Sequence, residues 1–189
     1  VDEREFAAYG EQGFIAVEEG FSQELVRDAI AAIKEQIMDD SSETLVQYES
    51  WAAEKLERLR PEERILAARR LTKFCASDSR LQALAEHQEM LGIVSRLMQG
   101  KKPVLLQEMA LLKPPSGREK PWHQDRAYFN VDQDDEIVGV WLALDEATPE
   151  NGCMRIWPGR HRGGPIAHFQ RRDWQLCDRD VVSVGRQVV

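Results

Sequence analysis

The sequence lacks long apolar runs, an excess of positive charge and a dense set of cysteines. No stretch of about 18 consecutive apolar residues occurs, so we expect no membrane-spanning helix. The net charge is −8, which argues against a surface built for nucleic acid or for anionic membranes. The first ten residues, VDEREFAAYG, are acidic and polar, which does not fit a signal peptide.

The three cysteines are widely spaced and form no CxxC pair: Cys75, Cys153 and Cys177. This pattern predicts reduced thiols in a cytoplasmic protein. The chain also lacks internal repeats and low-complexity linkers. Its 189 residues suit one domain with a substantial core.

The first hundred residues follow a mostly helical pattern. Residues 3–9 suit a short helix, and Gly10 and Gly13 bracket a predicted turn into a short strand at 14–17. Ser22 is placed to cap a second helix. That helix has an apolar stripe at helical spacing, formed by Val26, Ile30, Ile33 and Ile37.

Two further helical segments are predicted before residue 100. Residues 43–71 are charged and helical in pattern, and Pro61 suits the first position of a helix within them. Another amphipathic helix ends near Gly100. Its apolar positions are Leu81, Leu84, Leu91, Val94 and Met98.

After Pro103 the pattern changes from helices to strands. We predict a buried strand at 103–113, a strand rich in branched and aromatic side chains at 137–144, and two short strands at 181–184 and 187–189. Helices followed by many short strands indicate a helical layer packed on a β-sandwich or barrel.

The motif with the clearest chemistry is His123-Gln124-Asp125. Residues i and i+2 of an extended segment project to the same side, so this imidazole and carboxylate can hold one face of a metal ion. With a second histidine they would form the 2-His-1-carboxylate triad typical of non-haem Fe(II) oxygenases. Taken alone, the pattern is weak, and a solvent-facing His–Asp pair on a loop is the alternative.

The surrounding motifs make the pattern specific. LLKPPSGREKPWHQD is followed by VGVWLALDEATPENGCMRIWPGRH, and LTKF precedes both at Leu71–Phe74. In this order and spacing they resemble the phytanoyl-CoA dioxygenase family of Fe(II)- and 2-oxoglutarate-dependent oxygenases. The resemblance implies a mainly β fold with N-terminal helices, a double-stranded β-helix (jelly roll, cupin-like). Residues 1–100 would form the helical layer, and residues 103–189 the jelly-roll strands of the same domain.

The same resemblance implies an activity and its cofactors. The expected reaction is hydroxylation of an unactivated C–H bond in a small organic substrate, using O₂, Fe(II) and 2-oxoglutarate, with ascorbate as a further candidate cofactor. The substrate is a small molecule, and no nucleic-acid or membrane partner is expected. A carboxylate at Asp125, rather than a small residue that admits chloride, favours hydroxylation over halogenation.

Residue by residue, the resemblance makes His123 and Asp125 the first two iron ligands. Trp141 and Met109 match family residues beside 2-oxoglutarate. Lys73 matches a basic residue that contacts a cosubstrate carboxylate, with Arg70 as a rival. The side chain of Gln124 is expected on the face opposite the ligands, where it would support the motif.

In the family, a distal histidine serves as the third iron ligand and an arginine follows it. We find no match for either residue in this sequence. His161 matches a turn residue that we interpret as structural, and His168 lacks the expected context for a ligand. We therefore expect a longer enzyme of which these residues are the front part, and a weak or empty metal site here. The alternatives are an inactive jelly-roll binding protein, or a cupin-like metalloenzyme that does not use 2-oxoglutarate.

A basic cluster flanks the motif and consists of Arg118, Lys120 and Arg126. We expect a solvated loop there, with contact to an acidic substrate as the alternative.

Overall fold

The computed structural model describes residues 1–117, 119–132, 134–172 and 175–178. The chain divides into two compact units that alternate along the sequence. Unit 1 is drawn from Val1–Glu18, Glu119–Trp141 and Gly152–Val189, and unit 2 from Glu19–Arg118 and Leu142–Asn151. The single-domain organisation expected from the sequence stays a prediction.

Within the described ranges, the α-helices are α1 (Glu3–Gln12), α2 (Gln23–Met38), α3 (Ser50–Ala53), α4 (Pro61–Ala67), α5 (Ser79–Ala85) and α6 (Gln88–Leu97). The strands are β1 (Leu45–Tyr48), β2 (Ala68–Thr72), β3 (Met109–Leu111), β4 (His168–Arg172) and β5 (Gln175–Asp178). Short 3₁₀ turns lie at Leu56–Arg58, Cys75–Ser77, Asp125–Tyr128 and Arg160–Gly163.

Unit 2 is built around a three-stranded antiparallel sheet in the order β1-β2-β3. Leu71 in the central strand lies opposite Val46 and Ala110, so these three side chains share one face. Leu71 is fully buried in the core of this unit. The opposite face carries Arg70, Thr72, Met109 and Leu111.

Helix α2 covers the core through its apolar stripe. Ser22 caps the helix by accepting a hydrogen bond from the N–H of Leu25 at 3.2 Å, as its position predicts. Ile33 and Ile37 are buried, as are Ala29 and Ala32. The stripe predicted from the sequence is confirmed, although Val26 and Ile30 are only half-buried.

The prediction of a helical pattern for residues 43–71 is only partly correct. Pro61 does start α4, and Glu63 accepts from the backbone N–H of Arg60 at 2.9 Å. The strands β1 and β2 nevertheless occupy the two ends of this segment. Because β2 has a partner strand on each side and buries Leu71, pairing and burial outweigh a charge pattern that favours helix.

The predicted helix ending near Gly100 is two helices. Helix α5 begins at the N-cap Asp78, and the extended backbone of His87 separates it from α6. Gly100 has a φ of +86° and donates to the carbonyl of Ser95 at 2.8 Å, which closes the end of α6 as expected.

Several predicted strands are absent from the described residues. Only Met109–Leu111 of the 103–113 segment pairs as a strand, and neither 14–17 nor 137–144 does. A strand needs a neighbour to pair with its backbone groups, and apolar composition alone does not supply one. The strands predicted at 181–184 and 187–189 lie outside the described residues.

In unit 1, α1 is longer than predicted and includes Gly10 rather than ending there. Asp2 caps it in a reciprocal capping box with Glu5. Gly13 ends it with a φ of +84°. The hairpin of β4 and β5 is antiparallel, with His168 opposite Asp178.

None of the helices in the described part of the chain is long and apolar enough to cross a bilayer.

Candidate metal centre

His123 and Asp125 lie next to each other in unit 1, with Nε2 of His123 3.1 Å from Oδ1 of Asp125. The segment is not a strand, because the 3₁₀ turn Asp125–Tyr128 begins directly after Gln124. Gln124 itself is extended, with φ −96° and ψ 129°. One extended residue is enough to bring its two neighbours to the same side, so the two side chains are adjacent although the segment is not a strand. Their role as metal ligands stays a prediction.

The ring of His123 is oriented by its own backbone. Nδ1 lies 2.6 Å from the carbonyl oxygen of Pro121, which can only accept a hydrogen bond. This contact directs the other ring nitrogen, Nε2, at Asp125, and a metal ion bound there would take the place of the proton that Nε2 shares with the carboxylate. Tyr128 packs edge-on against the same ring, with centroids 5.1 Å apart.

The Asp125 carboxyl is largely exposed, whereas His123 is mostly covered. The hydrogen bond with His123 lowers the pKa of Asp125, and the charges of His123 and Lys120 act in the same direction. Partial burial opposes them. Asp125 is therefore a carboxylate at neutral pH, the form that binds metal.

The donor pair fits one edge of a metal ion's coordination sphere. Imidazole and carboxylate donors bind divalent metals at about 2.1 Å. Two such donors at right angles lie about 3.0 Å apart, close to the observed 3.1 Å. In the parts of the chain that the structure describes, no group of three or more His, Cys, Asp or Glu residues could hold a metal.

Gln124 points its side chain away from the donors and binds the segment before β4. Its Nε2 donates to the carbonyl of Gly164 at 3.0 Å, and its Oε1 accepts from the N–H of Ile166 at 2.9 Å. Gln124 is expected from the sequence to support the motif, and these two hydrogen bonds identify the segment that it binds. The sequence offered no signal for that partner, which lies about forty residues further along the chain.

His168 is engaged in structure and is not oriented to bind metal. Its Nε2 accepts from the backbone N–H of Gln124 at 2.8 Å, and its Nδ1 lies 2.8 Å from the carbonyl of Ile166. Because both ring nitrogens are used, neither has a free lone pair for an ion. The contact of His168 with the backbone of Gln124 was not predicted from the sequence.

Gly139 is a site residue that the sequence analysis missed. A Cβ at this position would lie 3.3 Å from Oδ2 of Asp125. A glycine inside a strand-like apolar run often marks a close approach of another group, and that signal was available.

The two described residues of the basic cluster, Lys120 and Arg126, are hydrogen-bonded to other groups of the protein. Lys120 donates to the hydroxyl of Tyr128 at 2.7 Å and lies 4.0 Å from the centre of its ring. Arg126 donates to the carbonyls of Asp132 and Asp135, the latter at 2.7 Å. Arg118 lies outside the described residues.

The residues predicted to contact 2-oxoglutarate are all accessible. Trp141, in the same unit as the donor pair, is 49% exposed, and Met109, on β3 of unit 2, is 37% exposed. Lys73 is exposed, with a φ of +60° just after β2. Arg70 shares a sheet face with Met109, because each lies on the face defined by Thr72.

Residues 9–183 match the family model described as phytanoyl-CoA dioxygenase (PhyH). The chain belongs to the phytanoyl-CoA dioxygenase family.

Individual relatives match over shorter segments. A Caenorhabditis elegans protein, phytanoyl-CoA dioxygenase domain-containing protein 1 homolog, is 37% identical over 71 residues, or 37% of this chain and 25% of that protein. Arabidopsis thaliana phytanoyl-CoA dioxygenase is 36% identical over 74 residues, or 39% and 26%. A probable alpha-ketoglutarate-dependent hypophosphite dioxygenase of Stutzerimonas stutzeri is 37% identical over 65 residues, or 34% and 22%.

The chain therefore spans about a quarter of the length of these curated relatives. No solved structure gives a significant match to it.

Proposed function

We propose that this chain carries two of the three iron ligands of an Fe(II)- and 2-oxoglutarate-dependent dioxygenase that hydroxylates a C–H bond of a small organic molecule. His123 and Asp125 are the ligands. The proposal rests on one observation above all: in a member of this family, an oriented imidazole nitrogen and an ionised carboxylate lie 3.1 Å apart.

The protein's own groups prepare this site. The carbonyl of Pro121 holds the His123 ring, so Nε2 is directed toward the ion without a further rearrangement. The exposed carboxylate of Asp125 remains accessible from solvent. When bound, ferrous iron and 2-oxoglutarate supply the chemistry that inserts one atom of O₂ into a C–H bond and releases succinate and CO₂.

The proposal assigns no third ligand, since no group of three or more potential donors occurs among the described residues and His161 and His168 are engaged in other contacts. The double-stranded β-helix predicted from the sequence would supply the surrounding barrel.

For the cosubstrate, we propose contacts from Trp141 and Met109 and a basic partner for its carboxylate. Lys73 is the proposed partner, with Arg70 as its rival. Arg70 lies on the same sheet face as Met109. A relative named as alpha-ketoglutarate-dependent supports 2-oxoglutarate as the cosubstrate.

The test uses the full-length protein without oxygen. Addition of Fe(II) and 2-oxoglutarate should produce a charge-transfer absorption band, and His123→Ala and Asp125→Ala should each abolish it. Succinate release under air should fall with the band. Gln23→Ala, a change at an exposed residue of α2, serves as the control and should keep both signals.

Three outcomes would contradict the proposal in whole or in part. Iron binding without a 2-oxoglutarate band would indicate a cupin-like metalloenzyme. Absence of iron binding in the full-length wild-type protein would indicate an inactive binding protein. Hydroxylation that is undiminished in Asp125→Ala would remove that residue from the ligand set.

A further inference from the structure

The residue between the two proposed ligands has all of its polar groups engaged. The backbone N–H of Gln124 donates to Nε2 of His168 at 2.8 Å, and its carbonyl accepts from the N–H of Ala127 at 3.0 Å. Its side-chain amide binds the carbonyl of Gly164 and the N–H of Ile166. These four hydrogen bonds restrict the conformation of Gln124, and its extended backbone directs the side chains of His123 and Asp125 to the same side.

We propose that Gln124 and His168 form a positioning pair for the metal ligands. The pair holds the donor atoms at the spacing that an ion needs, without contacting the ion. This inference rests on the proposed function and adds to it: the segment Gly164–His168, which provides no ligand, determines how well the ligands bind.

The chemistry of the contacts specifies a glutamine at position 124. The side chain must donate to the carbonyl of Gly164 and accept from the N–H of Ile166 at the same time. An amide has both a donor and an acceptor, whereas an ionised carboxylate can only accept and would face the Gly164 carbonyl with like partial charge. Asparagine has the same groups on a side chain one methylene shorter, so it would not span both contacts.

The contacts of His168 specify one tautomer. Ile166 presents a carbonyl to Nδ1, so Nδ1 carries the proton, and Nε2 is then free to accept from Gln124. Ile166 thus contacts both members of the pair, through its carbonyl to His168 and through its N–H to Gln124. The three residues form one hydrogen-bonded unit in the structure.

A glutamine at position 168 offers a matched test. Its Oε1 can occupy the position of the imidazole Nε2 and accept from the Gln124 N–H, whereas leucine has no acceptor. His168→Gln should therefore preserve the positioning function, and His168→Leu should lose it at similar side-chain volume.

The experiment titrates the full-length protein with Co²⁺ alone and records its visible absorption, whose position and intensity depend on ligand geometry. Gln124→Ala, Gln124→Glu and His168→Leu should weaken Co²⁺ binding by about tenfold or more and alter the spectrum. His168→Gln and the control Gln23→Ala should bind within about threefold of wild type, with the wild-type spectrum. Urea midpoints measured without metal separate this effect from a loss of folded protein.

If Gln124→Glu and His168→Leu bind Co²⁺ with the wild-type affinity and spectrum, the positioning role is wrong, whereas the proposed metal site is not contradicted. An equal loss in His168→Gln and His168→Leu would also overturn it, because the acceptor would not be what matters. If the wild-type protein fails to bind Co²⁺, the proposed function fails first and the positioning role with it. If Gln124→Ala does not fold, the two His168 variants still decide the question.

Discussion

The imidazole ring of His161 packs directly against Gly13, the residue that ends α1. A Cβ at Gly13 would approach Nδ1 of His161 more closely than non-bonded atoms allow, and it would lie 3.0 Å from Cγ and Cε1. Nε2 of the same ring lies 3.0 Å from the carbonyl of Gly10, to which it donates. The histidine of the PGRH turn therefore docks this turn on the end of a helix, which agrees with its structural interpretation from the sequence.

Substitution at this contact should be costly. Gly13→Ala places a side chain where the ring of His161 lies, in a backbone conformation with φ +84° that alanine rarely adopts. We expect a loss of about 2 kcal/mol or more in the free energy of unfolding, measured by urea denaturation.

Gly10→Ala is the matched control in the same helix. No atom lies within 4 Å of a Cβ at Gly10, and its carbonyl remains available to His161. This change should be neutral or stabilise by up to about 1 kcal/mol. Equal effects at the two glycines would contradict the contact with His161.

The core of unit 2 should depend on Leu71. Its side chain is completely buried between the sheet and α2, so Leu71→Ala should leave a cavity and cost about 2–5 kcal/mol in denaturant unfolding. Leu45 pairs with the same strand but is 55% exposed, and Leu45→Ala should cost less than about 1 kcal/mol. A loss below about 1 kcal/mol for Leu71→Ala would contradict a core centred on this residue.

Acid should weaken the ion pair between Asp78 and Arg80 at the start of α5. Hydrogen bonding from Arg80 lowers the pKa of Asp78 below its ordinary value of 3.8, and Asp78 also caps α5 through the N–H of Arg80. Because the pKa of Asp78 is lower in the folded protein than in the unfolded chain, the ionised carboxylate stabilises the fold. This stabilisation is complete above the unfolded value of 3.8. It is lost as the pH falls through the lower folded value.

Asp78→Asn should keep the helix cap and remove the charge. We expect a loss of about 1 kcal/mol at pH 7, with the difference from wild type shrinking toward pH 3. Urea midpoints across that pH range provide the measurement. A constant difference at all pH values would mean that the carboxylate charge contributes nothing.

Cys75 should react slowly with thiol reagents. Burial, reinforced by the charges of Glu108 and Glu86, raises the pKa of this thiol from 9.0 to about 11. At pH 8 the thiolate fraction, and hence alkylation, should be about 100-fold lower than for the same cysteine in urea. Peptide mass spectrometry after iodoacetamide treatment measures this. Fast native labelling of Cys75, at the rate of the partly exposed Cys153, would contradict its burial.

Local features were predictable because neighbouring residues determine them. The cap at Ser22, the stripe through Ile33 and Ile37, and Pro61 as a helix start all follow from contacts within a few positions along the chain. The same holds for His123 and Asp125, since one extended residue between them suffices to align them.

Strand positions were predicted less well, because a strand exists only where another segment pairs with it. The apolar run at 137–144 has strand composition without a strand partner in the described residues, whereas Ala68–Thr72 is a central strand despite its two arginines. No local pattern distinguishes these two cases.

The sequence alone predicted the donor pair, the helix cap at Ser22 and the resemblance to a family, which the family model confirmed. These features depend on residues a few positions apart or on motifs in a fixed order. Only the tertiary structure decided that His168 contacts the backbone of Gln124, that Gly139 approaches Asp125, and that His161 docks on α1. Each of these contacts joins residues more than ten positions apart, and such pairs are brought together by packing and hydrogen bonding of the folded chain rather than by local preference.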